Sequence, residues 1–232
     1  MPRKTVYLVT GAGRGIGLGL VTALAARADT VVFAGARNPE TQALKALAAA
    51  HPNLHPVKLT AGDQADNEAA IAEIQKIAGQ LDVIIACAGI ARQGFLASTP
   101  ISEFREHYEV NTIGPVMLFQ IAKDLLLASP RPEGPIFALI SSISGSIAMY
   151  HPIEHPSLIA MAIHPGWVQT DMGNPGAAQA GLEKAPVTVG ESVEGILSRV
   201  DGATKEKSSA KFWNFKASSG KPLDIATEEI PW

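Results

Sequence analysis

Short apolar runs alternate with helical patterns along almost the whole chain. Val6–Thr10, Thr30–Ala34, His55–Leu59, Leu81–Ala86, Ile136–Ser142, Leu158–His164 and Lys211–Phe215 read as strands. Between the second and third, Asn38-Pro39 predicts an N-cap with proline at the first helical position, opening a helix that runs to about Ala50. Ile71, Ile74 and Ile77, with Ala70 and Ala78, recur at helical spacing and form the core stripe of the next helix. Thr99-Pro100 opens a long helix carrying Phe104, Tyr108 and Asn111, which Pro115 should kink or divide from the apolar run Val116–Leu127. Thr188 and Glu191 fit a capping box ahead of Val193, Ile196, Leu197 and Val200. The Gly- and Ala-rich stretch Pro175–Pro186 reads as a mobile loop or lid. Strand and helix in alternation predict the α/β class: one domain over residues 1–232, built on a doubly wound parallel sheet covered on both faces.

The first of these units carries the clearest chemistry. The run Val6–Val9 enters Thr10-Gly11-Ala12-Gly13-Arg14-Gly15-Ile16-Gly17, and an apolar stripe follows at Ile16, Leu20, Ala23 and Leu24. Strand, glycine-rich turn and helix is the arrangement that seats a dinucleotide diphosphate on a helix N-terminus. After the second strand, Phe33-Ala34-Gly35-Ala36-Arg37 lacks the carboxylate that would hold the ribose hydroxyls of NAD. Arg37 can instead pair with a 2′-phosphate, and Arg14 adds a second positive charge, so NADP(H) is the expected cofactor. Taken alone, each is equally readable as a solvated loop arginine.

Composition narrows the surroundings. With 47% hydrophobic and 18% charged residues and a net charge of −3, neither disorder nor a nucleic-acid footprint is expected. No continuous apolar stretch reaches the about 18 residues of a membrane span, and Arg3-Lys4 before Val6–Val9 introduces a first strand rather than a leader. The lone Cys87 excludes an internal disulfide and fits a reducing compartment, hence a cytoplasmic expectation. No spacing suggests a metal, and His164 reads as a strand-end residue rather than a base.

Thr10–Gly17 reads TGxxxGxG and resembles the short-chain dehydrogenase/reductase family. The resemblance implies cofactor contacts from Thr10, Gly11, Arg14, Gly15, Ile16, Gly17 and Arg37. It extends them to Ala88 and Gly89 of Cys87-Ala88-Gly89, and to Pro165, Gly166, Val168 and Thr170 of the loop Pro165–Thr170. Ala86 and Cys87 stand where the family has asparagines, and Thr60 where it often has the aspartate that meets the adenine. Two catalytic residues are implied. Asn111 would hold a proton-relay water, against the alternative of a helix-kink residue bonding its own backbone. Ser142 would hydrogen-bond the substrate carbonyl, against that of a turn serine. Ile163–Gly173 and the Trp-bearing tail look most like the fungal norsolorinic-acid-ketoreductase branch. That branch implies a small-molecule carbonyl substrate, and the family implies a homo-oligomer.

One family element is missing. Ketone reduction needs an acid for the developing alkoxide, which the family supplies as Tyr-x-x-x-Lys. The three tyrosines are Tyr7, Tyr108 and Tyr150, and the residues four positions on are Gly11, Thr112 and Glu154. Only 15 residues separate Ser142 from Leu158, with Pro152 and Pro156 among them, so the long helix between the fifth and sixth strands has no room. The chain reads as interrupted at about Ile153/Glu154. Three readings stay open: a ketoreductase impaired by a lost segment, a non-catalytic NADP-binding protein, and a reductase using an improvised acid such as Tyr150. The lost helix is also the usual subunit contact, so an exposed apolar patch near Ser142 and loss of that contact are expected.

Overall fold

The computed structural model describes residues 3–92, 99–141, 157, 159–209, 211–216 and 229–230. An eight-stranded sheet runs in the order β3-β2-β1-β4-β5-β6-β7-β8. Its strands are β1 Thr5–Thr10, β2 Thr30–Ala36, β3 Leu54–Lys58, β4 Val83–Ala86, β5 Ile136–Ile140, β6 Ile159–His164, β7 Lys211–Asn214 and β8 Glu229–Ile230. The first seven pair in parallel, and β8 closes the edge antiparallel to β7. The seven expected strands are present within a residue or two at each end; the two-residue β8 carries too little pattern to announce itself. The order reverses between β1 and β4, and the C-terminal strand ends on either side form the crevice where such sheets bind ligands.

Helices cover both faces. On one, α1 (Gly15–Ala25), α2 (Gln42–Ala50) and α7 (Val189–Asp201) bury Leu20, Leu24, Leu44, Val193 and Ile196 against Val9, Val32, Ile85 and Ile163. On the other, α3 (Gln64–Ala78) and α5 (Gly114–Leu127) bury Ile71, Ile74, Leu118, Leu125 and Leu126 against Leu8, Phe33, Ile84 and Phe137. Sites this deep each contribute about 1.5–3 kcal/mol per large apolar side chain. The predicted capping box is formed: the Thr188 hydroxyl accepts from Glu191 N, and Thr188 N donates to the Glu191 carboxylate.

Several expectations change. The helix after β2 starts later, because Thr41 rather than Asn38 caps it; Asn38 Oδ1 accepts from Glu40 N in the preceding turn. Ile77 is 46% exposed rather than core, since the buried stripe Asn67, Ala70, Ile71 and Ile74 continues four residues on to Ala78, which packs on the core, and leaves Ile77 to one side. Pro115 does not divide its helix. α4 (Ile101–Tyr108) passes through a π-helical turn, Glu109–Ile113, straight into α5. A proline ring clashes with the carbonyl four residues back, and the wider turn accommodates it; Gly114 N bonds to Glu109 O, five residues back. The resulting run, Ile101–Leu127, has 27 residues and a mean hydropathy of 1.2 in its most apolar window, long and apolar enough to cross a membrane by length and composition alone. Its Leu118, Ala122, Leu125 and Leu126 are nonetheless buried against the sheet.

Pro175–Pro186 is not wholly loop. Its first part belongs to α6 (Gly173–Gln179), which seats Ala177 in the interior, and Ala185 is buried as well. The apolar patch expected near Ser142 falls largely outside the described residues, and Leu139 and Ile140 next to it are partly exposed. Ile136, Phe137, Ala138, Ile159, Met161, Ala162 and Ile163 are buried, as is Phe212, which pairs with Ala162 in a small separate core. The exposed large apolar residues are Ile77, Ile101, Phe104, Tyr108, Met172 and Leu182, all remote from those strands in sequence. Ser142, Tyr150 and the Ile153/Glu154 junction lie outside the described residues.

Candidate active site

The crevice is lined first by the glycine turn. Gly11 has φ +69° and Gly15 φ +56°, both in the left-handed region that glycine enters without strain. A Cβ on Gly11 would stand 2.8 Å from Ala88 Cα, and one on Gly17 would stand 2.3 Å from Gly11 O. The turn is therefore pressed flat between the β4 loop and α1. Arg14 is the N-cap residue of α1, yet its side chain makes no capping bond and no acidic residue stands in the first turn. The first-turn N–H groups of α1 are left for an anion, and the helix dipole favours one there. Ile16 is partly buried against the core. The geometry of this turn fits a diphosphate.

Thr10 also braces the central strands. Its hydroxyl accepts from Cys87 N and Ala88 N, both at 3.0 Å, and so ties the end of β1 to the end of β4. Cys87 is half-buried, and burial pushes its thiol up to about 12. Gly89 continues the loop exposed, with Asn111 Oδ1 3.4 Å from where its Cβ would lie.

Arg37 follows β2 directly and is exposed, with no hydrogen bond or ion pair found for it among the described residues. Gly13 lies beside this strand end, 3.8 Å separating its Cβ position from Ala36 Cβ. The backbone of Arg37 thus leaves β2 beside the glycine turn. Hydrogen bonds from Arg92 hold the Glu106 carboxyl of α4 below the usual range, and the charge of Arg37 helps after them. Arg14 points elsewhere: its Nη1 bonds Asp171 Oδ2 at 2.9 Å.

Asn111 sits in the π turn and binds neither its own backbone nor a neighbouring residue of its helix. Its Oδ1 accepts from Ile90 N at 2.9 Å and its Nδ2 donates to Ile90 O at 2.8 Å. It clamps the loop after β4 from both sides. A second clamp follows, with Arg92 bidentate on Glu106 and Arg92 N donating to His107 Nε2.

The far wall is the loop after β6. Gly166 has φ +83°, and a Cβ there would meet Phe215 Cε1 at 2.6 Å. Ser192 of α7 is fully buried and donates to Pro165 O at 2.8 Å. Sequence reading missed this contact; the signal available was a serine one position before Val193 on the buried stripe of α7. Val168 is 5% exposed and bridges Val187, while Gln169 N donates to Val187 O at 2.7 Å. The Thr170 hydroxyl accepts from Gly173 N at 3.1 Å and opens α6. His164 ends β6 as expected; its buried Nδ1 has no partner among the described residues, and burial lowers its pKa. Among the described residues no group of His, Cys, Asp and Glu could hold a metal.

The glycine turn, the β4 loop with its Asn111 clamp and the post-β6 loop converge on one crevice at the C-terminal strand ends. The short chain dehydrogenase family model matches residues 5–153. This chain belongs to the short-chain dehydrogenase/reductase family. It is 36% identical to the norsolorinic acid ketoreductase of Dothistroma septosporum, over 90% of this chain and 89% of the relative. With the norsolorinic acid ketoreductase of Aspergillus parasiticus it shares 38% identity, over 91% and 88%. Among solved structures, the NADPH-bound carbonyl reductase from chicken fatty liver superposes with a TM-score of 0.78 at 31% identity, covering 92% of this chain and 97% of that one. The two fungal alignments run to 241 and 240 positions, so each relative carries about 30 residues with no counterpart in this chain of 232. The family match ends at Ile153, the point at which the sequence itself reads as interrupted.

Proposed function

We propose that this chain is a member of the NADP(H)-dependent ketoreductase lineage that retains the nucleotide site and has lost the positioned proton donor. The observation that carries the reading is a complete glycine turn, with an exposed Arg37 and no carboxylate at the end of β2, in a sequence with no Tyr-x-x-x-Lys. The α1 N-terminus and the Gly11–Gly17 turn would hold the diphosphate. Arg37 would pair with the 2′-phosphate, and the post-β6 loop, pinned by Ser192, would face the nicotinamide. Bound NADPH would supply a hydride to a ketone carbon. Ser142 would hydrogen-bond the carbonyl oxygen, and Asn111 would keep the β4 loop in place beside it. The proton would then come from solvent. A missing general acid costs about 10²–10⁴-fold in rate, so slow turnover is expected.

The apolar character of the binding loops supports a small-molecule ketone as substrate, and the lone Cys87 supports a reducing, cytoplasmic setting. Loss of the helix that usually joins subunits supports a chain that does not assemble through that face.

The deciding experiment measures NADPH and NADH binding by fluorescence and ketone reduction by NADPH oxidation. The chain as it stands is then compared with one carrying the corresponding segment of the Aspergillus parasiticus relative between Ile153 and Glu154. Tight NADPH binding with turnover rising at least 100-fold on grafting is expected. Ordinary turnover without the graft, abolished by Tyr150→Phe, would overturn the reading in favour of an improvised acid. Reading the coding transcript across Ile153 and Glu154 tests whether the interruption belongs to the natural chain.

A further inference from the structure

We propose that Asp171 sets nucleotide affinity by competing for Arg14, the pair forming an ionic latch between the two loops that flank the diphosphate seat; this rests on the nucleotide reading above. The loops meet at two adjacent points. Arg14 Nη1 lies 2.9 Å from Asp171 Oδ2. One residue on, a Cβ at Gly15 would lie 3.7 Å from Thr170 Cγ2. Residues 157 apart in sequence are thereby held across the mouth of the crevice.

Both partners are set by their surroundings. Arg14 is the last residue before α1, with extended backbone at φ −164° and no capping bond from its side chain, and its guanidinium reaches Asp171. Asp171 follows Thr170, whose hydroxyl is fixed by Gly173 N, and this fixes the turn on which the carboxylate stands. The side chains are 68% and 83% exposed. An ion pair in that position contributes little to folding, yet it spans the entrance to an anion site.

The consequence is a competition. A phosphate arriving at the α1 N-terminus meets a guanidinium already neutralised and a carboxylate beside it. The phosphate prevails through charge-assisted bonds to Arg14 and the first-turn N–H groups. Opening the latch subtracts from the affinity, and the loop carrying Val168 and Thr170 is released from the glycine turn as the nucleotide enters. Replacing Asp171 by Asn removes the competitor and keeps the shape.

The test is a double-mutant cycle read by fluorescence titration of NADPH and NADH at low salt and at high salt. It uses the unmodified chain, Asp171→Asn, Arg14→Gln and the double variant, with thermal melts to establish that each is folded. Asp171→Asn should tighten both nucleotides about two- to fivefold, the range of an exposed ion pair, and the gain should shrink in high salt. In the Arg14→Gln background the same substitution should change nothing. Equal tightening in both backgrounds would assign the effect to bulk charge and overturn the latch, as would no effect in the unmodified chain. Failure of the unmodified chain to bind either nucleotide would overturn the nucleotide reading and the latch with it.

Discussion

The glycines of the turn are not equivalent, and alanine substitution should separate them sharply. At Gly17 a Cβ would stand 2.3 Å from Gly11 O, 2.7 Å from Gly11 C and 3.1 Å from Ala12 Cα. All three are backbone atoms, so no side-chain rotation relieves the overlap. The turn must lift off α1 by about an ångström to restore ordinary contact. Overpacking of this kind costs about 1–3 kcal/mol, against at most about 1 kcal/mol that Ala gains over Gly within a helix. A net loss of about 2 kcal/mol corresponds to a fall of about 4–8 °C in a domain of this size. Nucleotide affinity should fall with it, because the displaced backbone carries the donors of the seat. Gly13→Ala is the control: its Cβ would meet only Ala36 Cβ at 3.8 Å, and its φ is not positive. A substitution compatible with the backbone is neutral or stabilises by up to about 1 kcal/mol. Differential scanning fluorimetry without ligand, then NADPH titration, measures both. Equal melting of Gly17→Ala and the unmodified chain would refute the close packing of turn on helix.

Arg37→Asp should reverse the nucleotide preference from NADP(H) to NAD(H), since it places a repelling charge beside the 2′-phosphate; equal affinity of the unmodified chain for both nucleotides would remove the basis for this. Cys87, with its thiol pushed up to about 12 by burial, should react with iodoacetamide at pH 7.5 at least ~100-fold more slowly than an open thiol and label fully once unfolded. Burial lowers the pKa of both His164 and His55. The unfolded chain therefore takes up these protons at higher pH than the folded one, and the folded state loses stability as pH falls below the unfolded value of about 6.5. Melting temperature should be flat from pH 8 to 7 and decline below 6.5, less steeply in His164→Gln; a rise on acidification would contradict the sign.

Some of this was written in the chain itself. Short continuous apolar runs separated by helical stripes point to an α/β sheet covered on both faces, and Thr10–Gly17 marks where its ligand end lies, because only glycines allow that turn its φ values and its contact with the helix. The missing Tyr-x-x-x-Lys is likewise a statement about sequence, made without coordinates. Other features depend on residues that meet only after folding. The Thr10 hydroxyl accepts from Cys87 N and Ala88 N, 77 and 78 positions away, only because β1 lies beside β4. Asn111 binds Ile90, 21 positions away, a pairing that no local pattern encodes. Pro115 argued for a kink or a division, yet the helical run continues through a π turn in which Gly114 N bonds to Glu109 O, five residues back. The Gly- and Ala-rich stretch before Pro186 has no stripe to mark a helix, and α6 forms because Ala177 finds a buried seat. Ser192 and Asp171 acquire their roles only because α7 and the loop after β6 come to lie against the crevice. Local pattern reports the period of burial; which polar atoms face one another is decided by the closure of distant segments, and the site's hydrogen bonds are set at that level.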